Sequence, residues 1–572
     1  MKLIRLKITD PQGFRSLLSG FEYYFRREYE TDREEDFAPF ICAGPNGSGK
    51  SNLLEVLASI FFHLDCKGLN NRPELFEFNQ ENVPFGYREE KGSPDAFELE
   101  FYGKPFAGFA STTEEHYPRV FVTKEDDNGP QFFILNGFGI NPEEPLSSQQ
   151  IKDIMPDYIL AYSSGENEIL SLPSFKMRFI NFDEYADASR KNMPYTCPPD
   201  GTPEGRLIFL DQDFNQAIML SNFILTDESL LAPFKKEIGL EGIYYFRIIL
   251  RNILYPSGLG ISTSLNQSQK ITQDDNSFRE EWPLLEKATS IVSKLKKCAT
   301  SFFENDDDTI YLDYWLDSQC QEAFRLHFGT PLNLFQSFQL LLTLNLYSVS
   351  NSQKLDMYQS KSLYFNETIP VLPSDQRVIR FKDVVLKKQG VDSDRIVYSK
   401  ALSDGENQFL HTLGLCTLYR DKNVLFLLDE PDTHFNPDWR SKFITRLREC
   451  FPENNNFREM LITTHTPFLI SDSKPEKVLV FNKDKESGIV SINRPDYNTL
   501  GASINKITMS TFGKKETIGE FAENILKKFR DNFDQGHDPK QLIAEVNQTL
   551  GASIEKVLLV KTMLDSIKGD SE

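Results

Sequence analysis

A glycine-rich segment between a short apolar run and an apolar helical run constrains this chain more than any other feature. Pro39 to Ala43 is typical of a buried strand, Gly44 to Ser51 has the sequence GPNGSGKS, and Asn52 to Phe62 has the periodicity of a helix. A strand, a glycine loop and a helix in this order are the context that identifies a phosphate-binding P-loop. The segment therefore predicts an α/β fold with a phosphate site at the end of a strand.

The chemistry of phosphate binding explains the residue types in this loop. Glycines let successive backbone N–H groups point at one phosphate, at the N-terminus of a helix whose dipole favours anions. We expect Lys50 to bridge the β- and γ-phosphates of a nucleotide and Ser51 to offer a hydroxyl to Mg²⁺. The predicted nucleotide-binding residues are Gly44, Pro45, Asn46, Gly47, Ser48, Gly49, Lys50, Ser51 and Asn52.

A second segment, Ala401 to Pro437, reads as the other half of an ATP site. It joins a polar glycine turn, a helix and the apolar run Val424 to Leu428, which is typical of a strand buried on both faces. Asp429 and Glu430 follow where that strand leaves the sheet. Carboxylates at the C-terminal end of a strand suit Mg²⁺ and an attacking water.

Length and composition limit the classes of protein to consider. The 572 residues are enough for two to four domains, and no apolar run reaches the roughly 18 residues of a membrane helix, so we expect a cytoplasmic protein without membrane contact. Seven scattered cysteines without a CxxC pair argue against a disulfide framework or a zinc site. The net charge of −21 opposes a generally nucleic-acid-coating surface, but it allows a local basic groove or a basic protein partner.

Changes in periodicity divide the chain into four predicted parts. Residues 1–170 form an N-terminal lobe with the P-loop, and Phe97 to Gly137 contributes an antiparallel layer. Residues 171–377 form an inserted, mostly helical domain. Its expected helices are Gly242 to Leu254, Trp282 to Glu304 and Leu332 to Tyr347.

The two remaining parts follow residue 377. Residues 378–495 form a C-terminal lobe that begins with a hairpin over Val378 to Lys400, and residues 496–572 form a helical tail. The tail contains LGASINKI from Leu500 and LGASIEKV from Leu550. Gly-Ala-Ser before an apolar-periodic run is a common way to begin a helix, and a duplicated helical unit is the alternative interpretation.

Four motifs in order resemble those of the ATP-binding-cassette (ABC) ATPases without membrane spans. That group includes the SMC, RecF and OLD proteins and the Rad-type ATPases of double-strand-break repair. The motifs are GPNGSGKS from Gly44, LSDGE from Leu402, LLDEP from Leu427 and TTH from Thr463. The resemblance implies an ABC-type head with a mixed sheet and an antiparallel subdomain, which binds ATP and Mg²⁺ and hydrolyses ATP to ADP and phosphate.

The resemblance also implies a role for each residue that matches a motif. Asp429 would hold Mg²⁺ through water, Glu430 would polarise the attacking water, and His465 would contact the γ-phosphate. With Lys50, Glu430 and His465 are the predicted catalytic residues. His465 follows the apolar run Met460 to Thr464, which predicts a buried strand.

The signature motif implies a second subunit. Its residues are Ser403, Asp404, Gly405 and Glu406, and in the family pattern Ser403 and Gly405 reach the γ-phosphate of ATP held by another copy of the chain. One segment would then serve two sites. The implied assembly is a head-to-tail homodimer, or a higher oligomer, with ATP between the heads.

The sequence departs from the family pattern in two loops. The loop after Asp157 to Tyr162 contains a glutamine in the SMC and Rad-type pattern, and aligning it by its glycine places Ser164 there as a candidate metal ligand. The family's loop after the catalytic glutamate ends in Asp, whereas this chain has Asn436 at that place. Thr433 to Pro437 (THFNP) is more similar to the OLD and defence-associated branch.

Within that branch, the chain resembles bacterial antiphage ATPases that are restriction-system-associated or similar to Septu PtuA. The N-terminal FRSL from Phe14, the short insertion and the compact tail carry this resemblance. It implies an ATP-hydrolysing sensor that oligomerises and restrains a separate nuclease until infection; in Septu that nuclease is an HNH protein. Nucleic acid would be contacted through the complex.

Three other functions remain open from the residues. A DNA-repair ATPase of RecF or Rad type would be favoured by long heptads or a basic channel, and neither is visible. A self-sufficient OLD-type nuclease needs a Toprim domain, but Val557 to Leu564 lacks the expected Glu-Gly pair. An exporter or importer cassette is possible from the motifs, but the large insertion and the THFNP loop argue against it.

Overall fold

The structure is a computed structural model of the chain. It describes all residues except 27–36, 70–71, 82, 85, 107–108, 113–116, 166, 191–204, 252–281, 306–308, 346–350, 360–371, 376, 391–394, 453–457, 514–517 and 570–572.

The strands, in chain order, are β1 Lys2–Ile8, β2 Glu22–Tyr24, β3 Phe40–Ala43, β4 Phe97–Tyr102, β5 Arg119–Lys124, β6 Gln131–Ile134, β7 Tyr158–Ser163, β8 Leu207–Phe209, β9 Leu240–Leu250, β10 Ser301–Glu304, β11 Ile310–Trp315, β12 Ile379–Lys388, β13 Arg395–Tyr398, β14 Val424–Asp429, β15 Glu459–Thr464, β16 Val478–Lys483 and β17 Val490–Asn493.

The helices are α1 Lys50–Lys67, α2 Ser148–Ile154, α3 Glu168–Arg190, α4 Asn215–Leu225, α5 Ala232–Ile238, α6 Trp282–Cys298, α7 Ser318–Phe328, α8 Pro331–Leu344, α9 Asn351–Gln359, α10 Asp404–Leu418, α11 Pro437–Glu449, α12 Pro467–Ser471, α13 Ile504–Phe512, α14 Glu520–Asp534, α15 Pro539–Thr549 and α16 Ile554–Gly569.

A seven-stranded sheet with the order β17-β16-β3-β15-β14-β7-β8 is the centre of the fold. All neighbouring strands are parallel except the edge pair β16 and β17. Every residue of β3, β14 and β15 is buried, which explains their unbroken apolar runs. The three strands place the P-loop, Asp429 and His465 at one edge of the sheet, because the carboxyl ends of parallel strands lie together.

Two apolar cores lie on opposite faces of this sheet. On one face, α1 packs beneath the antiparallel sheet β2-β1-β4-β5-β6, with Leu427 and Leu54 in the same core. The other face packs with α4, α8, α10 and α11, and Phe426 and Leu413 belong to that core. The predicted α/β class, with a mixed sheet and an antiparallel subdomain, is confirmed.

The predicted helix over Gly242 to Leu254 is wrong within the described residues. This segment lies in β9, which is the central strand of an antiparallel sheet with the order β10-β11-β9-β12-β13. Its residues LEGIYYFRIIL are rich in aromatic and β-branched types, which favour strands. The helix expected to end at Glu304 ends at Cys298, and β10 follows it. The division into four parts stays a prediction, and the β9–β12 pair crosses its boundary at residue 377.

The tail is helical, as predicted, and its last three helices share a small core of their own. Leu526, Val546 and Met563 meet there. The two LGAS segments each begin a helix, because Ser503 accepts a hydrogen bond from the N–H of Lys506 and Ser553 accepts one from the N–H of Lys556. Among the described residues, no helix is long and apolar enough to cross a membrane.

Candidate nucleotide site

The P-loop joins β3 to α1 in a conformation that requires its glycines. Gly44, Gly47 and Gly49 have φ angles of 149°, 74° and 97°, which L-residues with side chains rarely adopt. A Cβ atom on Gly44 would collide with the carbonyl oxygen of Phe481, and one on Gly49 would lie 2.9 Å from the Ser16 hydroxyl oxygen. The loop is therefore held close to its neighbours while Pro45, Asn46 and Gly47 stay exposed.

Two side chains of this loop fit an anionic ligand. The hydroxyl of Ser48 is buried and has no hydrogen-bond partner among the described residues. The Nζ atom of Lys50 lies 3.0 Å from the carbonyl oxygens of both Gly44 and Pro45, and burial lowers the pKa of this ammonium. Phosphate oxygens would give these donors acceptors at the start of α1, so the residues present fit ATP.

The carboxylate of Asp429 accepts hydrogen bonds from α1, from β15, from β7 and from the loop after β7. Its Oδ1 accepts from Ser51 at 2.8 Å and from Thr463 at 2.6 Å. Its Oδ2 accepts from Asn167 at 2.9 Å and from Ser163 at 3.5 Å. Mg²⁺ prefers oxygen ligands such as hydroxyls and carboxylates. Ser51 and Asp429 would therefore bind the ion jointly.

Two of the predicted catalytic residues, Glu430 and His465, are in direct contact. The Nε2 atom of His465 lies 2.5 Å from Oε1 of Glu430, and its Nδ1 atom lies 3.5 Å from Nζ of Lys50. A neutral imidazole with its proton on Nε2 satisfies both contacts, since it donates to the carboxylate and accepts from the ammonium. The hydrogen bond from His465 lowers the pKa of Glu430, which keeps this carboxylate ionised.

The backbone at Glu430 is strained. Its φ of 51° is unusual for a residue with a long side chain. The N–H of Glu430 donates to the hydroxyl of Thr463 at 3.0 Å, and the hydroxyl of Thr433 donates to its carbonyl oxygen at 2.9 Å. Anchors on both sides of the peptide hold the carboxylate beside His465.

Asp432 is a buried carboxylate that sequence reasoning missed. It accepts from the hydroxyls of Thr464 at 3.1 Å and Thr466 at 2.8 Å, and burial raises its pKa. Because these threonines flank His465, Asp432 ties the loop after Glu430 to the loop that carries the histidine. Its position two residues after Glu430 is the sequence feature that could have identified it as part of the site.

The loop after β7 contacts Asp429 through Asn167, not through the hydroxyl of Ser164. That hydroxyl lies 3.1 Å from the hydroxyl of Thr433. The amide of Asn167 reaches Asp429, and its oxygen accepts from the N–H of Leu170 in the first turn of α3. Alignment by the glycine of this loop predicts that Ser164 contacts the metal site. The geometry instead favours Asn167, which bonds to Asp429.

Asn167 also joins this site to the N-terminal FRSL segment. Its amide lies 3.3 Å from Oε1 of Glu55 in α1, and Oε2 of Glu55 accepts from the guanidinium of Arg15 at 2.6 Å. Burial raises the pKa of Glu55. Asn52, a predicted nucleotide-binding residue, contacts the Ser16 hydroxyl on the same side of α1. Arg15, Glu55 and Asn167 therefore form a polar chain that ends at Asp429.

The signature residues stand at the start of α10. Ser403 accepts from the N–H of Glu406 at 3.3 Å, and Glu406 accepts from the N–H of Ser403 at 2.8 Å, which is a capping box. Ser403 and Asp404 are exposed, whereas Gly405 is buried against His434. The helix start is therefore rigid and presents its outer residues to the surface.

Gln408 connects the signature helix to the strand that carries the carboxylates. Its amide nitrogen lies 3.4 Å from the carbonyl oxygen of Glu430, and its amide oxygen accepts from the N–H of His434 at 2.9 Å. Asn436, where the family pattern has Asp, accepts from the N–H of Trp439 at 2.8 Å and caps α11. Its side-chain carboxamide therefore stabilises the start of α11.

Residues 334–471 match the family model described as "AAA domain, putative AbiEii toxin, Type IV TA system". The match includes the signature, Asp429, Glu430 and His465. This segment of the chain is therefore similar to an AAA-type ATPase domain. The P-loop lies outside the matched segment, and the structure brings it to the same edge of the sheet.

Two curated proteins are similar to parts of this chain. Septu protein PtuA of Bacillus thuringiensis is 22% identical over 123 residues, which are 21% of this chain and 30% of that protein. Protein ea59 of Escherichia phage lambda is 22% identical over 175 residues, which are 29% of this chain and 33% of that protein. The matches thus span about a third of each relative. The predicted recognition of an ATPase distantly related to Septu PtuA is confirmed.

Solved SMC head domains align with most of the chain at low scores. The SMC head domain from Thermotoga maritima has a TM-score of 0.31 and 12% identity, and it covers 87% of this chain and 100% of its own. The Smc head with a coiled coil and joint from Pyrococcus yayanosii has a TM-score of 0.29 and 12% identity, with coverages of 86% and 97%. The fold assignment rests on the sheet order and the P-loop geometry.

Proposed function

We propose that this protein binds and hydrolyses ATP, dimerises around it and controls an associated nuclease in bacterial antiphage defence. The observation that carries the proposal is the convergence of Glu430, His465 and Lys50 beside the Ser51–Asp429 pair. These residues come from the C-terminal ends of two parallel strands, β14 and β15, and from the helix that follows the P-loop. Their meeting at one sheet edge supports a site for phosphoanhydride hydrolysis.

Each residue of the site has a chemical task. Bound ATP supplies the phosphoanhydride bond and Mg²⁺ neutralises its charge, with Ser51 and Asp429 as the residues that would hold the ion. Lys50 and the P-loop N–H groups bind phosphate oxygens. Glu430, kept ionised by His465, accepts the proton of the attacking water, and His465 holds this carboxylate in place.

The position of the signature supports assembly around the nucleotide. Ser403 and Asp404 are exposed at the start of a capped helix. The N–H groups there favour binding of a phosphate of the ATP that a second subunit holds. Gly405 and Gln408 link this helix to the loop after Glu430. Nucleotide bound between two heads would therefore be sensed in both.

The regulatory part of the proposal is supported by the relatives. One relative is named a Septu protein, and the family description names a type IV toxin–antitoxin system. The net charge of −21 suits a basic protein partner. The nuclease would then be a separate polypeptide that the ATPase holds.

The test is purification of the tagged chain from its native host, with identification of what co-purifies and assays of ATP hydrolysis and DNA cleavage. We expect a nuclease in the complex, nuclease activity that responds to ATP, and no DNA cleavage by the isolated chain. A chain that cuts DNA alone with Mg²⁺ would contradict the regulator and support the self-sufficient nuclease.

A further inference from the structure

The antiparallel sheet β10-β11-β9-β12-β13 has two unlike faces. Alternate residues such as Phe246, Ile248 and Leu312 point into the main apolar core. The register places Asp313, Arg247 and Lys382 side by side on the opposite face. We call this opposite face the outer sheet face.

Exposed aromatic side chains are concentrated on the outer sheet face. Phe303 stacks on Tyr311 with ring centroids 4.4 Å apart and an interplanar angle of 2°, and Tyr245 lies 4.7 Å from Trp315. Phe303 and Trp315 are 45% exposed, and Tyr398 is 59% exposed. Two pairs of packed, partly exposed rings on one face are an unusual surface unless the face contacts another molecule.

The same face carries positive charge, in contrast to the chain as a whole. Arg247 is fixed by Asp313, at 2.6 Å and 2.9 Å. Lys382 is exposed beside this pair, and the ammonium of Lys387 lies 5.8 Å above the ring of Tyr244. Cations therefore interleave with aromatic rings on a protein with a net charge of −21.

We propose that the outer sheet face binds single-stranded nucleic acid. Unpaired bases would stack on Phe303, Trp315 and Tyr398, and the phosphates would lie near Lys382 and Lys387. Five strands at a spacing of about 4.8 Å make the face about 20 Å wide, which is enough for several nucleotides. Bases within a duplex already stack on one another, so the exposed rings favour unpaired strands.

Charge decides between this ligand and a basic protein partner. A polyanion is repelled by most of the acidic surface and attracted to this face, whereas a basic protein would be repelled by Lys382 and Lys387. The outer sheet face contains no residue of the ATP site. Binding of nucleic acid there can therefore be tested independently of the proposed function.

Fluorescence anisotropy of the full chain with labelled oligothymidine, oligouridine and duplex DNA of about 20 nucleotides tests the proposal. We expect both single strands, or one of them, to bind more tightly than the duplex, and a preference between them would identify the sugar. Binding should weaken as salt rises. Trp315→Ala and Tyr398→Ala should each weaken it about tenfold, and Trp315→Phe should retain it.

Charge and position controls make the result specific. Lys382→Glu should weaken binding and reduce its salt dependence. Phe521→Ala in α14, where the side chain is 82% exposed, and Lys485→Glu between β16 and β17 should leave binding unchanged. Ultraviolet cross-linking of the unaltered chain should map the oligonucleotide to peptides that contain Trp315 or Tyr398, which gives a readout without any substitution.

Three outcomes would overturn the proposal. These are no salt-dependent binding of either single strand, equal effects of Phe521→Ala and Trp315→Ala, and cross-links confined to other sheets. If Trp315→Ala and Tyr398→Ala no longer co-purify with a protein that the unaltered chain binds, but still bind the oligonucleotides, the outer sheet face is a protein interface instead.

Discussion

The side-chain amide of Asn167 donates to the carboxylate of Asp429 at 2.9 Å, and the same nitrogen lies 3.3 Å from Glu55. The loop after β7 thereby connects α1 to the end of β14. Because Asp429 is the residue that would hold Mg²⁺ with Ser51, Asn167 is placed to fix the orientation of a metal ligand.

Asn167→Ala should lower the ATPase kcat by about 10- to 100-fold and raise the Mg²⁺ concentration needed for half-maximal activity, because a hydrogen bond to a charged group contributes about 1.5–3 kcal/mol. A steady-state phosphate-release assay with a Mg²⁺ titration measures both. Ser164→Ala is the matched control in the same loop, and its effect should be much smaller since its hydroxyl contacts Thr433. A larger loss from Ser164→Ala would return the metal-linked role to Ser164.

Gly405→Ala should disturb the predicted dimer and leave nucleotide binding by the P-loop intact. An added Cβ atom would lie 2.7 Å from the carbonyl oxygen of His434, and overpacking of this kind typically costs about 1–3 kcal/mol. ATP-dependent dimerisation by light scattering and binding of a fluorescent ATP analogue separate the two effects. Gly242→Ala, with open space around its Cβ position, should change neither.

Replacing Lys50 should abolish nucleotide binding. Its ammonium lies at the mouth of the P-loop between Gly44, Pro45 and His465. Lys50→Ala should therefore show no saturable binding of a fluorescent ATP analogue. Lys67→Ala, at the far end of α1 where the ammonium bonds to Pro130, should bind like the unaltered chain. Equal binding by the two variants would remove Lys50 from the site.

A buried ion pair between Arg26 and Glu459 predicts a pH-dependent stability. Arg26 donates to Glu459 at 3.0 Å, and the N–H of Leu3 donates to the same carboxylate at 2.8 Å. Burial alone would raise the pKa of Glu459, but Arg26 and Lys2 lower it below 4.5. The stabilisation is present above the unfolded pKa and is lost as pH falls through the lower folded pKa.

At neutral pH, Glu459→Gln should lower the free energy of unfolding by about 3–5 kcal/mol, because Arg26 is left buried without its charge partner. Thermal unfolding of both proteins from neutral pH downward should show the gap in Tm narrowing as pH falls below about 4.5. Glu322→Gln breaks an exposed pair with Arg325 and should leave Tm unchanged. A gap that is constant with pH would contradict the account.

The ATP-site strands could be predicted because each signal is local. The strand before the P-loop and the strand before Asp429 are continuous apolar runs, and a fixed glycine pattern follows the first. Asn167 could not be recognised in this way, since its partners Glu55 and Asp429 are more than a hundred residues away in the chain. Its role depends on how three elements meet in space.

The antiparallel sheet around β9 shows what local sequence signals cannot predict. The sequence of β9 contains both apolar residues at helical spacing and strand-forming types, and its partners β11 and β12 lie far along the chain. Pairing on both sides decides for the strand, and local periodicity contains no information about it. Asn436 caps α11 through a local hydrogen bond from the N–H of Trp439, a role that the family pattern did not indicate.

The most direct test of the central claim compares Glu430→Gln with the unaltered chain in ATP hydrolysis and in light scattering with ATP and Mg²⁺. The amide keeps the shape of the side chain but accepts a proton poorly, so we expect hydrolysis to fall by at least about a hundredfold. ATP binding should be retained, and a stable ATP-bound dimer should accumulate. Normal hydrolysis by Glu430→Gln, or a monomer that stays a monomer with saturating ATP, would contradict the account.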